Sequence, residues 1–123
     1  MGRIWFITGV SSGLGLALAQ AVLASGDTVA GTVRKAADAE AFADLGPGAH
    51  PFVADVTDEA AVQAAVAGAQ ALAGRIDILV NNAGIGVGAD DRKTVDEFPV
   101  ETWDEIITID LTGVFLVGRK VAA

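Results

Sequence analysis

Short apolar runs alternate along the chain with longer segments in which apolar residues recur every three or four positions. The short runs have strand length and are rich in Val, Ile and Thr. They predict four strands, over residues 4–8, 28–33, 51–54 and 75–80. The longer segments predict helices over residues 14–25, 36–45, 58–73 and 100–121, the last with an irregular start before Trp103. A polar, glycine-containing loop is expected over residues 81–99.

Two details of these helices can be predicted from local chemistry. On the first helix the spacing places Leu14, Leu18, Ala21 and Val22 on one face, which is expected to pack on the sheet. Thr57 is the expected N-cap of the third helix, because Ser, Thr, Asp and Asn are favoured there. Asp58 and Glu59 would then lie in the first turn, where the helix dipole favours negative charge.

Strand–helix alternation predicts an α/β fold with a Rossmann-like parallel sheet flanked by helices, because right-handed crossovers keep successive strands parallel. We expect the strand order 3-2-1-4, which is a truncated form of the doubly wound sheet. Residues 1–123 would form one incomplete dinucleotide-binding domain, with a ligand crevice between strands 1 and 4. Residues 76–80 of the fourth strand would remain an open hydrophobic edge. Since native folds avoid such edges, we expect another copy in a homo-oligomer, or the remainder of a longer chain, to cover it.

The composition of the chain disfavours several classes of partner and binding site. The 123 residues carry a net charge of −8, which disfavours a nucleic-acid backbone as partner. The sequence has no cysteine and one histidine, so thiolate and multi-histidine metal sites are excluded within one chain and no metal is expected. No apolar run reaches the roughly 20 residues of a membrane span, and no signal-peptide pattern opens the chain. We expect a cytoplasmic protein with neither nucleic acid nor membrane as partner.

The segment Thr8–Gly15 lies between the first strand and the first helix. Its glycines have the order glycine, three residues, glycine, one residue, glycine, with Ser11 and Ser12 inside. A glycine-rich turn that opens a helix presents free backbone N–H groups to a phosphate. Glycines alone are equally compatible with a tight turn, so the rest of the chain has to decide.

Polar residues follow the other strands. Asp55 comes directly after the third strand, where it can accept a hydrogen bond from an adenine amino group or simply start a turn. Asn81–Gly84 reads Asn-Asn-Ala-Gly after the fourth strand, where amides can tie strand ends together beside a ligand. Arg34 and Lys35 follow the second strand, where a carboxylate would bind a ribose 2′-hydroxyl. Positive charge there favours NADP over NAD, although a solvated surface pair is the alternative.

Together these motifs resemble the short-chain dehydrogenase/reductase family. The matching residues are TGxxxGxG at Thr8–Gly15, Asp55 before Val56, and NNAG at Asn81–Gly84; residues 103–115 also look like that family's fourth main helix. The resemblance implies hydride transfer between a nicotinamide cofactor and a small carbonyl or alcohol. It assigns Gly9, Ser11, Ser12 and Leu14 to the pyrophosphate, Asp55 and Val56 to the adenine, and Asn82, Ala83 and Gly84 to the adenosine and ribose. Gly13 and Gly15 of the glycine motif, and Arg34 on the charge argument above, complete the predicted cofactor site.

Two departures limit the resemblance. The family's catalytic asparagine is replaced by Asp110, which can accept a hydrogen bond but, when ionised, cannot donate one. The sequence contains no tyrosine, and the family's Ser, Tyr and Lys catalytic set normally lies beyond the segment at which this sequence ends. We therefore expect that this chain alone, which lacks the catalytic half, does not turn over substrate. A non-catalytic dinucleotide-binding module or a truncated fragment is the alternative, and a flavodoxin-like binder is a third reading.

Overall fold

The computed structural model describes residues 2–123, and its centre is a four-stranded parallel sheet. The strands are β1 (Ile4–Ile7), β2 (Thr28–Val33), β3 (Ala49–Val53) and β4 (Ile78–Val80). Their order is β3-β2-β1-β4, which confirms the predicted Rossmann-like topology 3-2-1-4. Ile7 pairs with Gly31 on one side and with Val80 on the other, so three strands end at the same edge of the sheet.

The helices cover both faces of this sheet. They are α1 (Gly13–Ala24), α2 (Ala36–Ala43), α3 (Glu59–Ala73), α4 (Val100–Ile107) and α5 (Gly113–Val121). One core cluster, around Ile7, Val22 and Phe42, lies under α1 and α2. The other, around Phe6 and Val117, lies under α3 and α5. Adjacent residues of β1 thus point to opposite faces, as the two-residue period of a strand requires.

The fourth strand begins at Ile78, three residues later than predicted, although the backbone N–H of Asp77 already donates to the Ile4 carbonyl of β1 at 2.9 Å. Asp77 accepts a hydrogen bond from the backbone N–H of Ile4 at 2.8 Å, and Arg75 Nε donates to Asp77 at 3.0 Å. β3 in turn begins two residues before the predicted start at Pro51, since Ala49 already pairs with Val29. In the described part of the chain β4 is an edge strand whose three residues are half-buried.

The predicted cap of α3 was wrong by one residue. Asp58, rather than Thr57, is the N-cap, and its carboxylate accepts from the backbone N–H of Ala61 at 3.1 Å. Thr57 is engaged elsewhere, because both its N–H and its hydroxyl donate to Asp55 Oδ1. The helix ends at Gly74, which takes the left-handed conformation expected of a C-terminal glycine.

The prediction for the packing face of α1 was also wrong in part. Gly15, Ala19 and Val22 are the residues that face the sheet, whereas Leu14 is 83% exposed. Small side chains at the contact let the helix approach the sheet closely, and Leu14 at the first turn is left beside the glycine-rich loop.

The last helix has its irregular part in the middle and not before Trp103 as predicted. α4 begins regularly at Val100, and a π-helical segment over Thr108–Thr112 joins it to α5. The backbone N–H of Gly113 donates to the Thr108 carbonyl five residues earlier, and side-chain contacts surround this wide turn. Thr108 Oγ1 donates to the Asp104 carbonyl at 2.6 Å, and Gly113 packs so tightly on Val56 that a Cβ there would lie 2.7 Å from a Val56 methyl. In this segment Ile109 packs against the core, and its neighbour Asp110 points toward the loop after β4. Such π segments occur often at functional sites.

Within residues 2–123, no helix has the length and apolarity needed to cross a membrane.

Candidate functional site

Thr8, the last residue before the glycine-rich turn, links two strand ends. Its side chain is buried, and its Oγ1 accepts hydrogen bonds from the backbone N–H groups of Asn82 at 3.0 Å and Ala83 at 2.9 Å. Its own N–H donates to the carbonyl of Val80 at 3.1 Å. The chain after β4 is thereby held directly against the end of β1.

The Asn82 side chain ties the same two segments together from the other side. Its Nδ2 donates to the carbonyl oxygens of Thr8 at 3.2 Å and Gly9 at 3.0 Å. This is the role of a strand-end tie that the sequence suggested for these amides. Gly15 lies against both Gly9 O and Asn82 Nδ2, with no room for a Cβ. Gly9 has φ +72° and approaches the Ala83 backbone, so a side chain at either glycine would separate the loop from the strand end.

The start of α1 is open to a ligand. Ser12 is the N-cap residue and is extended, but its side chain makes no capping hydrogen bond within the described residues. The first N–H groups of a helix have no partner inside the helix and carry the positive end of its dipole. Ser11 and Ser12 are both exposed beside this helix end, where their hydroxyls can donate to an anion.

A cavity of about 380 Å³ joins these elements at the carboxyl edge of the sheet. Its size is that of a small-molecule site. Nine of the predicted cofactor residues line it: Gly9, Ser11, Ser12, Arg34, Asp55, Val56, Asn82, Ala83 and Gly84. The other predicted residues, Gly13, Leu14, Gly15 and Asp110, lie outside this lining, the three former at the start of α1.

Sequence reasoning missed part of the cavity wall. Thr32, Val33, Asp38, Ala54, Ile85 and Ile109 also line it. Thr32 shapes the loop, because its Oγ1 and its carbonyl oxygen both accept from Gly9 N–H at 3.1 Å. A threonine near the end of β2 was a usable signal for this contact. Ile109 lies 25 residues beyond Gly84 in sequence, within the π segment of the last helix, and no local signal links it to the cavity.

Asp55 is held as a carboxylate. The N–H and hydroxyl of Thr57 donate to Asp55 Oδ1 at 2.9 and 2.8 Å, and together with the positive charge of Arg34 they lower the pKa of this carboxyl below its ordinary value. Both bonds fall on Oδ1, so Oδ2 has no hydrogen bond from the described residues. An ionised carboxylate whose Oδ2 is unused at this position can accept a hydrogen bond from a ligand amino group.

Asp110 fixes the loop after β4. Its Oδ1 accepts from the backbone N–H of Ile85 at 2.8 Å, and the same oxygen lies against Gly84, where a Cβ would be only 3.1 Å away. The carboxylate is exposed and lies behind the cavity wall that Gly84 and Ile85 form. In the described residues no group of three or more His, Cys, Asp or Glu side chains could hold a metal ion.

Comparison with known proteins decides the family. The family model described as short chain dehydrogenase matches residues 3–123 of this chain. The chain belongs to the short-chain dehydrogenase family. The resemblance drawn from the three motifs is therefore confirmed.

Relatives within the family are similar along the full chain. D-threitol dehydrogenase of Mycolicibacterium smegmatis is 41% identical over 98% of this chain and 46% of its own length. 2-(R)-hydroxypropyl-CoM dehydrogenase of Xanthobacter autotrophicus is 40% identical over 98% of this chain and 50% of its own length. A crystal structure of 3-ketoacyl-(acyl-carrier-protein) reductase from Brucella melitensis, complexed with NADH, superposes with a TM-score of 0.88 at 37% identity, covering 97% of this chain and 48% of that one. This short-chain dehydrogenase sequence thus spans about half the length of the relatives it matches.

Proposed function

We propose that this chain is the dinucleotide-binding half of an NAD(P)-dependent oxidoreductase that interconverts a small carbonyl compound and an alcohol. The observation that carries the proposal is the cavity of about 380 Å³ between the ends of β1, β2, β3 and the chain after β4, bordered by the uncapped start of α1. A nicotinamide cofactor bound there supplies hydride chemistry. The residues present fit its pyrophosphate, because backbone N–H groups, serine hydroxyls and close-packed glycines meet at one helix end.

Each part of the cofactor has candidate partners. The pyrophosphate would lie at Gly9, Ser11 and Ser12 and at the N–H groups of the α1 start, which begins Gly13-Leu14-Gly15. The adenine amino group would donate to Asp55 beside Val56. Asn82, Ala83 and Gly84 would form the wall against which the adenosine and ribose lie. Asn82 does so with its side chain already committed to Thr8 and Gly9.

NADP is the preferred cofactor in this proposal, with NAD as the alternative. Arg34 lines the cavity after β2, and Lys35 follows it. Neither side chain forms an ion pair within 4.0 Å in the described part of the chain, so both remain available for a ribose 2′-phosphate. We expect Arg34→Ala to weaken NADPH binding roughly tenfold relative to NADH, because a charge-assisted contact contributes about 1.5–3 kcal/mol and this one is exposed. Equal affinities that the substitution leaves unchanged would remove the argument for NADP.

Catalysis needs residues from outside these 123. The sequence has no tyrosine, so the proton transfer that the family assigns to one has no donor here, and we propose that this chain alone does not turn over. Asp110 would position the loop at Gly84 and Ile85 and not transfer a proton. The remainder of a longer protein is the proposed cover for the edge of β4, supported by relatives about twice as long. Self-association and a cytoplasmic location stay predictions.

A binding test distinguishes the proposed dinucleotide site from a fold that binds no nucleotide. NADPH fluorescence is titrated with the wild type and with Gly13→Asp, which adds negative charge at the helix start. Gly74→Asp is the matched control, because both glycines have positive φ and no atom within 4 Å of a Cβ, but Gly74 lies at the far end of α3. We expect binding to fall at least tenfold in Gly13→Asp only. Wild-type affinity in Gly13→Asp would refute the site.

The alternative, a non-catalytic dinucleotide-binding module, is favoured by the absence of tyrosine from the sequence. The intact mass of the natural protein and the length of its reading frame distinguish the enzyme from the binding module. A longer protein with a Ser, a Tyr and a Lys four residues after that Tyr, which oxidises NADPH with a carbonyl panel, supports the enzyme. A natural protein of 123 residues that binds NADPH without turnover supports the module.

A further inference from the structure

The ribose end of the cavity carries charges of both signs. Arg34, Lys35, Asp38 and Asp55 all line it. Arg34, Lys35 and Asp55 are exposed, whereas Asp38 is half-buried and is therefore the most enclosed charge at this end. A partly buried charge is screened less by solvent and salt than an exposed one.

Asp38 is placed by the start of α2. Lys35 is the N-cap of this helix, and the backbone N–H of Asp38 donates to the Lys35 carbonyl at 3.1 Å. A carboxylate in a first helical turn is favoured by the helix dipole, which is a sufficient structural reason for its presence. The same turn, however, holds it on the cavity side of α2, close in sequence to both cations.

The Asp38 carboxylate is not neutralised by a near neighbour. Among the described residues it has no ion pair within 4.0 Å and accepts no side-chain hydrogen bond. Asp38 also lines a second cavity of about 110 Å³ between α1 and α2, together with Ser11, Gln20 and Phe42. Asp38 therefore lines both cavities and carries a charge that no near neighbour among the described residues pairs.

We propose that Asp38 is a specificity-determining residue that lowers the preference for NADP over NAD set by Arg34 and Lys35. This inference rests on the proposed function of the cavity. A 2′-phosphate adds about two negative charges beside Arg34, and the Asp38 carboxylate repels them, whereas the neutral 2′-hydroxyl of NAD is hardly affected. In this proposal the two cations raise the affinity for NADPH and the half-buried carboxylate lowers it, so NADH remains a competent ligand.

The test compares the ratio of NADPH to NADH affinities in matched variants. Asp38→Asn removes the charge and retains the shape; Glu40→Gln is the control, since Glu40 is an exposed carboxylate on the same helix outside the cavity. We expect Asp38→Asn to raise NADPH affinity by roughly 3- to 10-fold with NADH changed less than twofold, and the gain to shrink at 1 M salt. Glu40→Gln should leave both affinities unchanged. Asp38→Ser, which also suits a helix start, gives the same readout should Asp38→Asn fold poorly.

The affinities of these variants distinguish failure of the Asp38 role from failure of the proposed function. Asp38→Asn changing both cofactors by the same factor, or not at all, overturns the specificity role, since a loss of helix stability alone would move both affinities together. An Arg34→Ala effect on NADPH with no Asp38→Asn effect overturns this inference and leaves the proposed function standing. Failure of the wild type to bind either nucleotide overturns both.

Discussion

The backbone N–H of Ile85 donates to the Asp110 carboxylate at 2.8 Å, which joins the loop after β4 to the π segment of the last helix. Asp110 is one of only five residues in this segment, and the contact aims the carboxylate away from the core that Ile109 enters. One wall of the cavity therefore depends on a residue 25 positions further along the chain. The aspartate supplies the acceptor that this contact needs, whether or not it has a part in chemistry.

Asp110→Ala should destabilise the fold by about 1 kcal/mol, because it leaves the Ile85 N–H without its acceptor at a partly solvated position. Asp110→Asn retains a side-chain oxygen and should recover most of this loss. Urea denaturation of the three proteins measures both effects. If Asp110→Asn is as unstable as Asp110→Ala, the charge and not the hydrogen bond holds the loop.

A larger loss is expected at Thr8, whose buried hydroxyl accepts from Asn82 and Ala83. Thr8→Val keeps the shape but leaves two N–H groups unsatisfied, which should cost about 2–4 kcal/mol of unfolding free energy. Thr8→Ser keeps the hydroxyl and should cost less than half as much. Denaturation midpoints give the comparison, and equal losses in the two variants would show that the methyl contacts matter more than the hydrogen bonds.

The strand order and most of the cavity could be predicted from sequence because both depend on local signals. Each strand is a short apolar run, and Gly9, Asp55 and Asn82 each follow such a run, so parallel strands bring them to one edge. The π segment has no such local signal, because the contacts made around it, Gly113 with Val56 and Asp110 with Ile85, join residues far apart in the sequence. Asp38 was missed because a carboxylate in a first helical turn has a sufficient local explanation.

Acid should destabilise this fold through Asp27 and Asp77, which lie at the opposite edge of the sheet. The Trp5 indole N–H and the Arg3 backbone N–H lower the pKa of Asp27, and the Ile4 backbone N–H lowers that of Asp77. A carboxyl whose pKa is lower in the folded than in the unfolded protein stabilises the fold. This stabilisation is complete above the unfolded pKa, here 3.8, and it is lost as pH falls through the lower folded pKa.

The measurement is the unfolding free energy between pH 7 and pH 2. Asp27→Asn should flatten the decline in stability below about pH 4, because one of the linked groups is removed. Asp96→Asn is the control, since Asp96 is exposed in a short 3₁₀ turn and its carboxylate accepts none of the hydrogen bonds in the described residues. An acid limb that is the same in Asp27→Asn and in the wild type would contradict the assignment.

Two glycines of α5 should respond oppositely to alanine. A Cβ at Gly113 would lie 2.7 Å from a methyl of Val56, which is itself buried beside the cavity, whereas Gly118 has no atom within 4 Å of that position. Gly118→Ala should stabilise the protein by about 0.5–1 kcal/mol through helix propensity alone. At Gly113 the same gain is outweighed by overpacking that costs about 1–3 kcal/mol, so Gly113→Ala should be net destabilising. Adding Val56→Ala should reduce the penalty of Gly113→Ala in a double-mutant cycle measured by urea denaturation. Additive effects of the two substitutions would mean that Gly113 is required for the π turn itself and not for its contact with Val56.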